Sequence, residues 1–270
     1  MKIWALHGFL GQPSDFDSLQ NEFTQLWPAA VSSLHWNSID YLKIKELSPE
    51  IPLKQWGVNF NQFISQENLR SDGQNSKQCL IGYSQGGRLA LEALKANPQF
   101  WNQVVLISTS PGLDAKDKES RQRADEKWAQ DFVSKPFQET LEAWNSQSVF
   151  QGSDKEPRRG AKDFDLEQLA KCLNHWSVAQ QDPSFSFLEG YPSELLYLAG
   201  DRDSKYVEIG KNLEKRSPQI KFQSIENSGH RVIFDQPKRA AACLGDYLRG
   251  RLNFNELSMK GRPGKSDGPE

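Results

Sequence analysis

The sequence of 270 residues is poor in cysteine, has no long apolar run and carries nearly balanced charge. Its three cysteines, Cys79, Cys172 and Cys243, lack metal-ligand spacing, which argues against a disulfide framework or a zinc cluster. No apolar run approaches the roughly 18 residues of a membrane-spanning helix. With 33 basic and 35 acidic residues, neither nucleic acid nor an anionic membrane is an expected partner. We therefore expect a small-molecule partner and no metal.

The start of the sequence and its thiols bear on the compartment. Lys2 is followed by the short stretch IWAL, which is too brief for the core of a signal peptide and lacks a small-residue cleavage site. Because free thiols suit a reducing compartment, we expect a cytoplasmic protein. The sequence gives no indication of the oligomeric state.

Six short apolar runs bounded by turn residues recur along the chain and indicate buried strands. They are KIWAL (2–6), SSLHW (32–36), QCLIGY (78–83), QVVLIST (103–109), ELLYLAG (194–200) and IKFQSI (220–225). Helical spacing of apolar residues lies between them, at residues 16–26, 89–94 and 240–248. This alternation predicts an α/β fold with a mostly parallel central sheet and helices on both faces.

One long segment breaks the alternation of strands and helices. Residues 113–189 are rich in charge, tryptophan and glutamine and contain no convincing strand. Their helical patterns lie near residues 117–133, 136–145 and 165–180. We predict that 113–189 form a helical cap inserted into a core made of 1–112 and 190–252. The polar tail at 253–270, rich in glycine and proline, is expected to be disordered.

A serine between two glycines follows the third predicted strand. Gly82, Ser84 and Gly86 form a G-x-S-x-G pattern between the strand QCLIGY and the helical stretch RLALEAL. This context is typical of a nucleophile elbow, in which a sharp turn exposes the serine hydroxyl. The sequence therefore predicts Ser84 as the reactive hydroxyl.

A serine hydroxyl needs a base to take its proton, and the base needs a carboxylate to orient it. Asp203 in LAGDRDSKY and His230 in NSGHRVIFDQP each follow a later predicted strand. The order serine, acid, histidine is that of α/β-hydrolases, and loops at the carboxyl ends of parallel strands meet at one edge of a sheet. Asp201 is the alternative acid, but the spacing favours Asp203, because G-x-x-D before the start of a helix is the common form. Either aspartate could instead cap that helix.

The stretch HGFLG, residues 7–11, comes directly after the first predicted strand. Two backbone N–H groups aimed at a developing oxyanion stabilise acyl-transfer and enolate chemistry alike. We predict that the N–H groups of Phe9 and Gln85 form this oxyanion hole. The alternative is that HGFLG makes a plain tight turn.

Several stretches match one known family together. They are HGFLG, GYSQGGRLAL, STSPGL, the R-x-x-x-D-x-x-W-A run at 121–129, the W-x-x-Q-x-V-F run at 144–150, and GDRDSKY. Together they resemble the 2-succinyl-6-hydroxy-2,4-cyclohexadiene-1-carboxylate synthases of menaquinone biosynthesis, which have the α/β-hydrolase fold. The resemblance runs from Lys2 to about Leu248. Its discriminating parts are SPGL, the cap arginine and tryptophan runs, and DSKY.

The resemblance implies a lyase that eliminates pyruvate from 2-succinyl-5-enolpyruvyl-6-hydroxy-3-cyclohexene-1-carboxylate after proton abstraction. Ser84 would act as a base, and His230 and Asp203 would raise its basicity. The N–H groups of Phe9 and Gln85 would stabilise the enolate-like charge. No cofactor is expected.

The implied substrate carries several carboxylates, and guanidinium groups bind carboxylates with two parallel hydrogen bonds. Arg88 matches the arginine that the family carries on the elbow helix. Arg121 matches the cap arginine, with Arg123 as the alternative, and Trp144 matches the cap tryptophan. Each arginine could instead lie on a solvated helix face.

A further family arginine falls near Arg158 or Arg159, where an apparent insertion blurs the alignment. We take Arg159 as the substrate-binding candidate of the two. The set of predicted substrate contacts is then Arg88, Arg121, Trp144 and Arg159.

Three departures from the family pattern bear on substrate choice. The PGHG turn of the family is replaced by WNSIDYLKIKELSPEIPL. Arg231 and Val232 follow His230 where an asparagine-containing sequence is common, and Gln85 replaces an apolar residue. Two other functions therefore stay open: a carboxylesterase or thioesterase that forms an acyl-Ser84 intermediate, and a ligand-binding protein without activity.

Overall fold

The computed structural model describes residues 1–70 and 76–249, and the predicted tail at 253–270 lies outside them. Its centre is a six-stranded sheet in the order β2-β1-β3-β4-β5-β6, with every neighbouring pair parallel. The strands are β1 Lys2–Leu6, β2 His35–Ile39, β3 Gln78–Tyr83, β4 Gln103–Ile107, β5 Leu195–Gly200 and β6 Ile220–Ile225. The predicted parallel sheet is confirmed.

Helices connect successive strands throughout the described chain. They are α1 Asp17–Leu26, α2 Leu53–Arg70, α3 Gln85–Ala96, α4 Ala115–Ser134, α5 Phe137–Asn145, α6 Leu166–His175, α7 Phe185–Glu189, α8 Ser204–Arg216, α9 Val232–Asp235 and α10 Pro237–Arg249. Because each strand is followed by a helix that returns the chain, parallel pairing is the natural outcome.

The sheet has an apolar core on each face. Alternate residues of a strand point to opposite faces, so Trp4 and Leu80 pack with α2, α3 and α8. Their chain neighbours Ile3 and Ile81 pack with α1, α9 and α10 on the other face. Strands buried on both faces explain the nearly continuous apolar runs in the sequence. The predicted helices on both faces are confirmed.

The segment between β4 and β5 contains α4 to α7 and, in all its residues, no strand. We call residues 113–189 the cap. Its helices α4 and α5 lie where the sequence predicts them, whereas α6 ends at His175 and not near residue 180. The helix stops there because Trp176 leaves helical geometry and its carbonyl oxygen accepts a hydrogen bond from the Arg88 side chain.

Two elements differ from the sequence-based expectation. Strand β2 begins at His35, because Pro28 opens a 3-10 helix that occupies Pro28–Ser33. Helix α2 was not among the predicted helices, and it follows the segment that replaces the PGHG turn. Its Trp56, Phe60 and Ile64 recur every four residues and are fully buried, which is the pattern of a core-facing helix.

Helix α2 crosses α3 closely at Gly57, where a Cβ atom would overlap the carbonyl oxygen of Glu92. We predict that Gly57→Ala lowers the free energy of unfolding by about 1–3 kcal/mol, because the helices must separate. Gly190→Ala is the control, since the nearest atom to its Cβ would lie 3.9 Å away. Urea denaturation of both variants measures the difference, and equal stabilities would contradict this close crossing.

Candidate active site

Ser84 lies at the turn between β3 and α3, with φ 52° and ψ −112°. Positive φ is rare for a residue with a side chain and marks a strained turn. The turn is so tight that a Cβ atom on Gly86 would overlap the carbonyl oxygen of Leu6. The backbone N–H of Ser84 donates to the carbonyl of Ile107 at 2.9 Å. The turn therefore has the geometry that the G-x-S-x-G pattern predicts.

The structure brings Ser84, His230 and Asp203 together. Ser84 Oγ lies 3.0 Å from His230 Nε2, and His230 Nδ1 lies 2.8 Å from Asp203 Oδ2. Because a carboxylate only accepts, Nδ1 carries the proton and Nε2 is free to accept the serine proton. His230 and Asp203 are buried. The arrangement can make the serine hydroxyl a stronger base or nucleophile.

The alternative acid, Asp201, has a different partner. Its Oδ1 accepts a hydrogen bond from the backbone N–H of Ser228 at 3.0 Å, so it supports the loop before His230. Asp203 precedes α8, but its side chain makes no capping hydrogen bond to that helix. The geometry thus favours Asp203 as the residue that orients the histidine.

The predicted oxyanion donors, Phe9 and Gln85, both line the cavity that contains Ser84. Gln85 is the first residue of α3, where N–H groups have no acceptor within the helix and carry partial positive charge. The HGFLG loop closely approaches the serine, since a Cβ atom built on Gly8 would lie 3.4 Å from the Cβ of Ser84. Both residues therefore lie beside the hydroxyl, and their N–H groups remain the predicted oxyanion donors.

A buried pair, His7 and Tyr41, supports the HGFLG loop. The two rings stack with centroids 4.3 Å apart, and the Tyr41 hydroxyl donates to the carbonyl of His7 at 3.1 Å. His7 Nδ1 donates to the carbonyl of Gly8 at 2.9 Å. Burial lowers the pKa of His7 to about 4. Tyr41 belongs to the segment that replaces the PGHG turn. Sequence analysis noted that this segment departs from the family pattern but gave Tyr41 no role.

A cavity of about 500 Å³ lies between the core and the cap and opens onto Ser84. Aromatic side chains form one part of its wall and cationic side chains another. The aromatic residues are Phe9, Trp144, Phe150, Trp176 and Tyr206, and the cationic ones are Arg88, Arg121, Arg202 and Lys205. A wall of this kind suits a partly apolar molecule that carries negative charge.

Arg88 is a buried cation without a carboxylate partner among residues 1–70 and 76–249. Its Nη1 donates to the carbonyl of Trp176 at 2.6 Å, and its exposure is only 8%. Burial lowers the pKa of the guanidinium to about 10, so it stays protonated at neutral pH. The nearby Asp125 is engaged elsewhere, by Arg121 Nε and the Ser177 hydroxyl.

The structure separates the two candidate cap arginines. Arg121 lines the cavity and donates from Nε to Asp125 Oδ2 at 2.8 Å. Arg123 lies on the outer surface of α4, where it pairs with the exposed Glu119. Trp144, the predicted cap tryptophan, lines the cavity beside Phe9, with ring centroids 4.7 Å apart. Arg121 is therefore the better placed of the two arginines.

The prediction of Arg159 as a substrate contact needs correction, because its side chain does not line this cavity. Its Nη2 donates to both carboxylate oxygens of Asp15 at 2.7 Å, and its Nε donates to the carbonyl of Leu10 at 2.5 Å. Arg158 is exposed and does not line the cavity either. Arg159 instead fastens the cap to the HGFLG loop.

Lys205 is a cavity residue to which sequence analysis gave no role. It follows Asp203 by two positions and lines the cavity. Burial and then the charge of Arg121 lower the pKa of its ammonium group. Lys205 is part of the DSKY motif that the sequence analysis singled out, but spacing alone does not show that this lysine faces the cavity.

Two further features of the described residues bear on metal binding and on membrane insertion. Within the described ranges, three or more His, Cys, Asp or Glu side chains nowhere gather in a metal-binding arrangement. Over the same residues, none of the helices combines the length and apolar character needed to cross a bilayer.

Comparison with known proteins places the chain in a broader context. A family model described as the alpha/beta hydrolase fold matches residues 58–237. The 2-succinyl-6-hydroxy-2,4-cyclohexadiene-1-carboxylate synthase of Klebsiella pneumoniae is 27% identical over 250 residues, which cover 90% of this chain and 92% of that protein. The synthase of the same name from Escherichia coli O1:K1 is 31% identical over 175 residues, 63% of this chain and 68% of that protein.

Solved structures share the architecture at low sequence identity. MenH from S. aureus superposes with a TM-score of 0.77 at 20% identity, covering 93% of this chain and 94% of that one. A thermophilic esterase from Thermogutta terrifontis superposes with a TM-score of 0.67 at 17% identity, covering 93% and 90%. At these identities the likeness establishes the fold and not the reaction.

The buried His7 makes a testable contribution to stability against pH. Because its folded pKa of about 4 lies below the unfolded value of 6.5, stability is fully present above pH 6.5 and is lost as the pH falls toward 4. We predict a loss of about 3 kcal/mol from this residue across that window, at about 1.4 kcal/mol per pH unit. His7→Phe should remove this part of the pH dependence in urea denaturation.

The exposed His35 provides the control for this measurement. His35→Gln should keep the wild-type dependence on pH, since it is a surface change that leaves the buried His7 in place. If the His7→Phe and wild-type curves ran parallel from pH 7 to pH 4, His7 would not be a buried neutral histidine.

Proposed function

The chain belongs to the α/β-hydrolase fold family and is an enzyme of that fold, and from this premise we propose that it is a lyase of menaquinone biosynthesis. The proposed reaction eliminates pyruvate from 2-succinyl-5-enolpyruvyl-6-hydroxy-3-cyclohexene-1-carboxylate. The names of its relatives support this substrate class. Ser84 serves as the base that starts the elimination.

The observation that carries the proposal is the buried guanidinium of Arg88 in the cavity of Ser84, which forms no ion pair with a carboxylate of the described residues. A buried charge without a partner is costly, and a bound carboxylate would offset that cost. Arg121 and Lys205 line the same cavity, so it offers positive charge for more than one carboxylate. A neutral ester would leave Arg88 uncompensated.

The site residues have separate tasks in the proposed mechanism. His230 Nε2 accepts the hydroxyl proton of Ser84, and Asp203 stabilises the resulting imidazolium. The serine oxygen then removes a proton from a ring carbon of the substrate. The electron pair forms a ring double bond, and the bond from the ring to the enolpyruvyl oxygen breaks.

The remaining steps are protonation of the leaving group and stabilisation of the charge that develops on the substrate. The leaving enolate of pyruvate takes up one proton, which His230 can supply as it returns to its neutral form. The N–H groups of Phe9 and Gln85 stabilise charge on a substrate oxygen while the proton is being removed. Aromatic side chains beside Ser84 limit the access of water to this charge.

The second candidate is a carboxylesterase or thioesterase. The hydrogen-bonded Ser84 and His230, with a strained serine turn, would equally support attack on an ester carbonyl and an acyl-Ser84 intermediate. Turnover of short p-nitrophenyl esters and a trapped acyl group on Ser84 would favour it. Pyruvate release from the menaquinone intermediate without ester turnover would exclude it.

We predict that Ser84→Ala and His230→Gln each lower kcat for pyruvate release by at least about 10³-fold, because the base is lost. Asp203→Asn should cost about 10⁴-fold, as the wrong histidine tautomer forms. Asp201→Asn is the matched control for the acid. A larger loss with Asp201→Asn than with Asp203→Asn would refute the assignment.

Arg88→Met and Arg121→Met test the anionic substrate. Each should lower kcat/KM for pyruvate release by about 5- to 150-fold, the value of about 1–3 kcal/mol for a charged hydrogen bond. Arg123→Met, on the outer surface of the same helix as Arg121, should leave it unchanged. Steady-state kinetics decide the question, and normal kcat/KM in both cavity variants would exclude a carboxylate clamp.

A further inference from the structure

The loop that carries His230 is bonded to the cap by a side chain that the proposed chemistry does not use. Arg231 follows His230, and its side chain is only 7% exposed. Its Nη2 donates to Asn145 Oδ1 at 2.6 Å. The guanidinium carbon lies 4.2 Å from the centroid of the Phe150 ring, which is the geometry of a cation–π contact. One core residue thus contacts the cap at two places.

Phe150 connects this contact to the histidine. Its ring meets the imidazole of His230 nearly edge to face, with centroids 5.8 Å apart and an interplanar angle of 72°. Phe150 also lines the cavity and packs near Trp144, with centroids 6.4 Å apart. Since Arg231 holds Phe150, a displacement of Arg231 would change the surroundings of His230 and the shape of the cavity together.

The next cap residues are bonded to the same loop through backbone groups. The N–H of Arg231 donates to the Ser153 hydroxyl at 3.0 Å. The buried carboxylate of Asp235 accepts from the N–H groups of Asp154 and Lys155 at 3.1 and 2.9 Å, and from Gly229 N–H at 3.0 Å. These bonds lie on both sides of His230 in sequence, so the histidine loop and the cap segment form one hydrogen-bonded unit.

An ordinary ion pair does not account for the placement of Arg231. Glu156 is the carboxylate within salt-bridge range, but it lies 4.0 Å away and its side chain is 56% exposed. Such a pair contributes little. The short bond to Asn145 and the contact with Phe150 direct the guanidinium instead.

We propose that Arg231 is a positioning residue for the reaction. It bonds to Asn145 of the cap and holds Phe150 against the imidazole of His230, so that base and cavity wall keep one relative position. The proposal rests on the proposed function in taking His230 as the group that receives the serine proton.

The test uses Arg231→Met, Arg231→Lys and Asn145→Ala in the full chain. Arg231→Met should lower kcat for pyruvate release roughly tenfold with KM within about twofold, because a small displacement of a catalytic group costs rate more than binding. Asn145→Ala should also lower kcat, because it removes the hydrogen-bond acceptor of Arg231. Arg231→Lys should recover part of the loss, since it keeps a cation beside Phe150.

Arg239→Met is the matched control, because Arg239 forms a surface pair with Glu226 and lies away from the cavity. It should leave kcat and KM unchanged. A rise in KM at constant kcat in Arg231→Met would overturn the proposal, since that result assigns Arg231 to substrate binding. Asn145→Ala keeps the test decisive if Arg231→Met fails to fold.

Amide hydrogen exchange separates this proposal from the proposed function. The N–H groups of Phe150 and Gln151 bond within a short turn, and they should exchange at least about threefold faster in Arg231→Met than in Arg239→Met, as local openings become more frequent. Equal exchange would overturn the role of Arg231 whatever the reaction. If the wild type releases no pyruvate, the proposed function fails, and this exchange still decides whether Arg231 holds the cap segment.

Discussion

The sharp backbone turn at Ser84 is the constraint on which the rest of the site depends. Its φ of 52° is held by close packing around the elbow glycines and by the bond from Ser84 N–H to Ile107. Because the turn follows a strand in the middle of a parallel sheet, the hydroxyl emerges at the edge where the later strands also end. The loops with Asp203 and His230 can then reach it without long excursions.

Charge compensation differs among the cationic residues that line the cavity. Asp125 bonds to Arg121 and Ser177, so the desolvation cost of Arg121 is already offset within the protein. Within residues 1–70 and 76–249, the hydrogen bond of the Arg88 side chain goes to the carbonyl of Trp176, which provides a dipole and no charge. The same bond ties the cap to the elbow helix. The proposed anionic substrate would therefore compensate the charge of Arg88, which lines the same cavity as Ser84.

Patterns within single segments were sufficient to predict the sheet, the elbow and the order of serine, acid and histidine. Strand pairing then follows from parallel topology, and the three side chains meet because their loops share one edge. The prediction failed where a residue's direction depends on distant segments. Arg159 was aligned across an insertion, and only the folded chain reveals that Asp15 binds it. Tyr41 was missed because its segment departs from the family pattern. Helix α2 follows that segment and was missed although its buried Trp56, Phe60 and Ile64 recur at helical spacing.

The cap is attached separately to three of the loops that build the site, and this explains why the arginines at these contacts differ in role. Arg159 bonds to Leu10 and Asp15 beside the HGFLG loop, and Arg88 bonds to Trp176 above the elbow. Arg231 and its neighbours fasten the histidine loop. A guanidinium whose charge is already compensated by a buried carboxylate, as in Arg159, gains little from binding a substrate carboxylate. Resemblance in sequence identifies arginines in such a fold, but their partners decide which of them support the architecture and which remain available for a ligand.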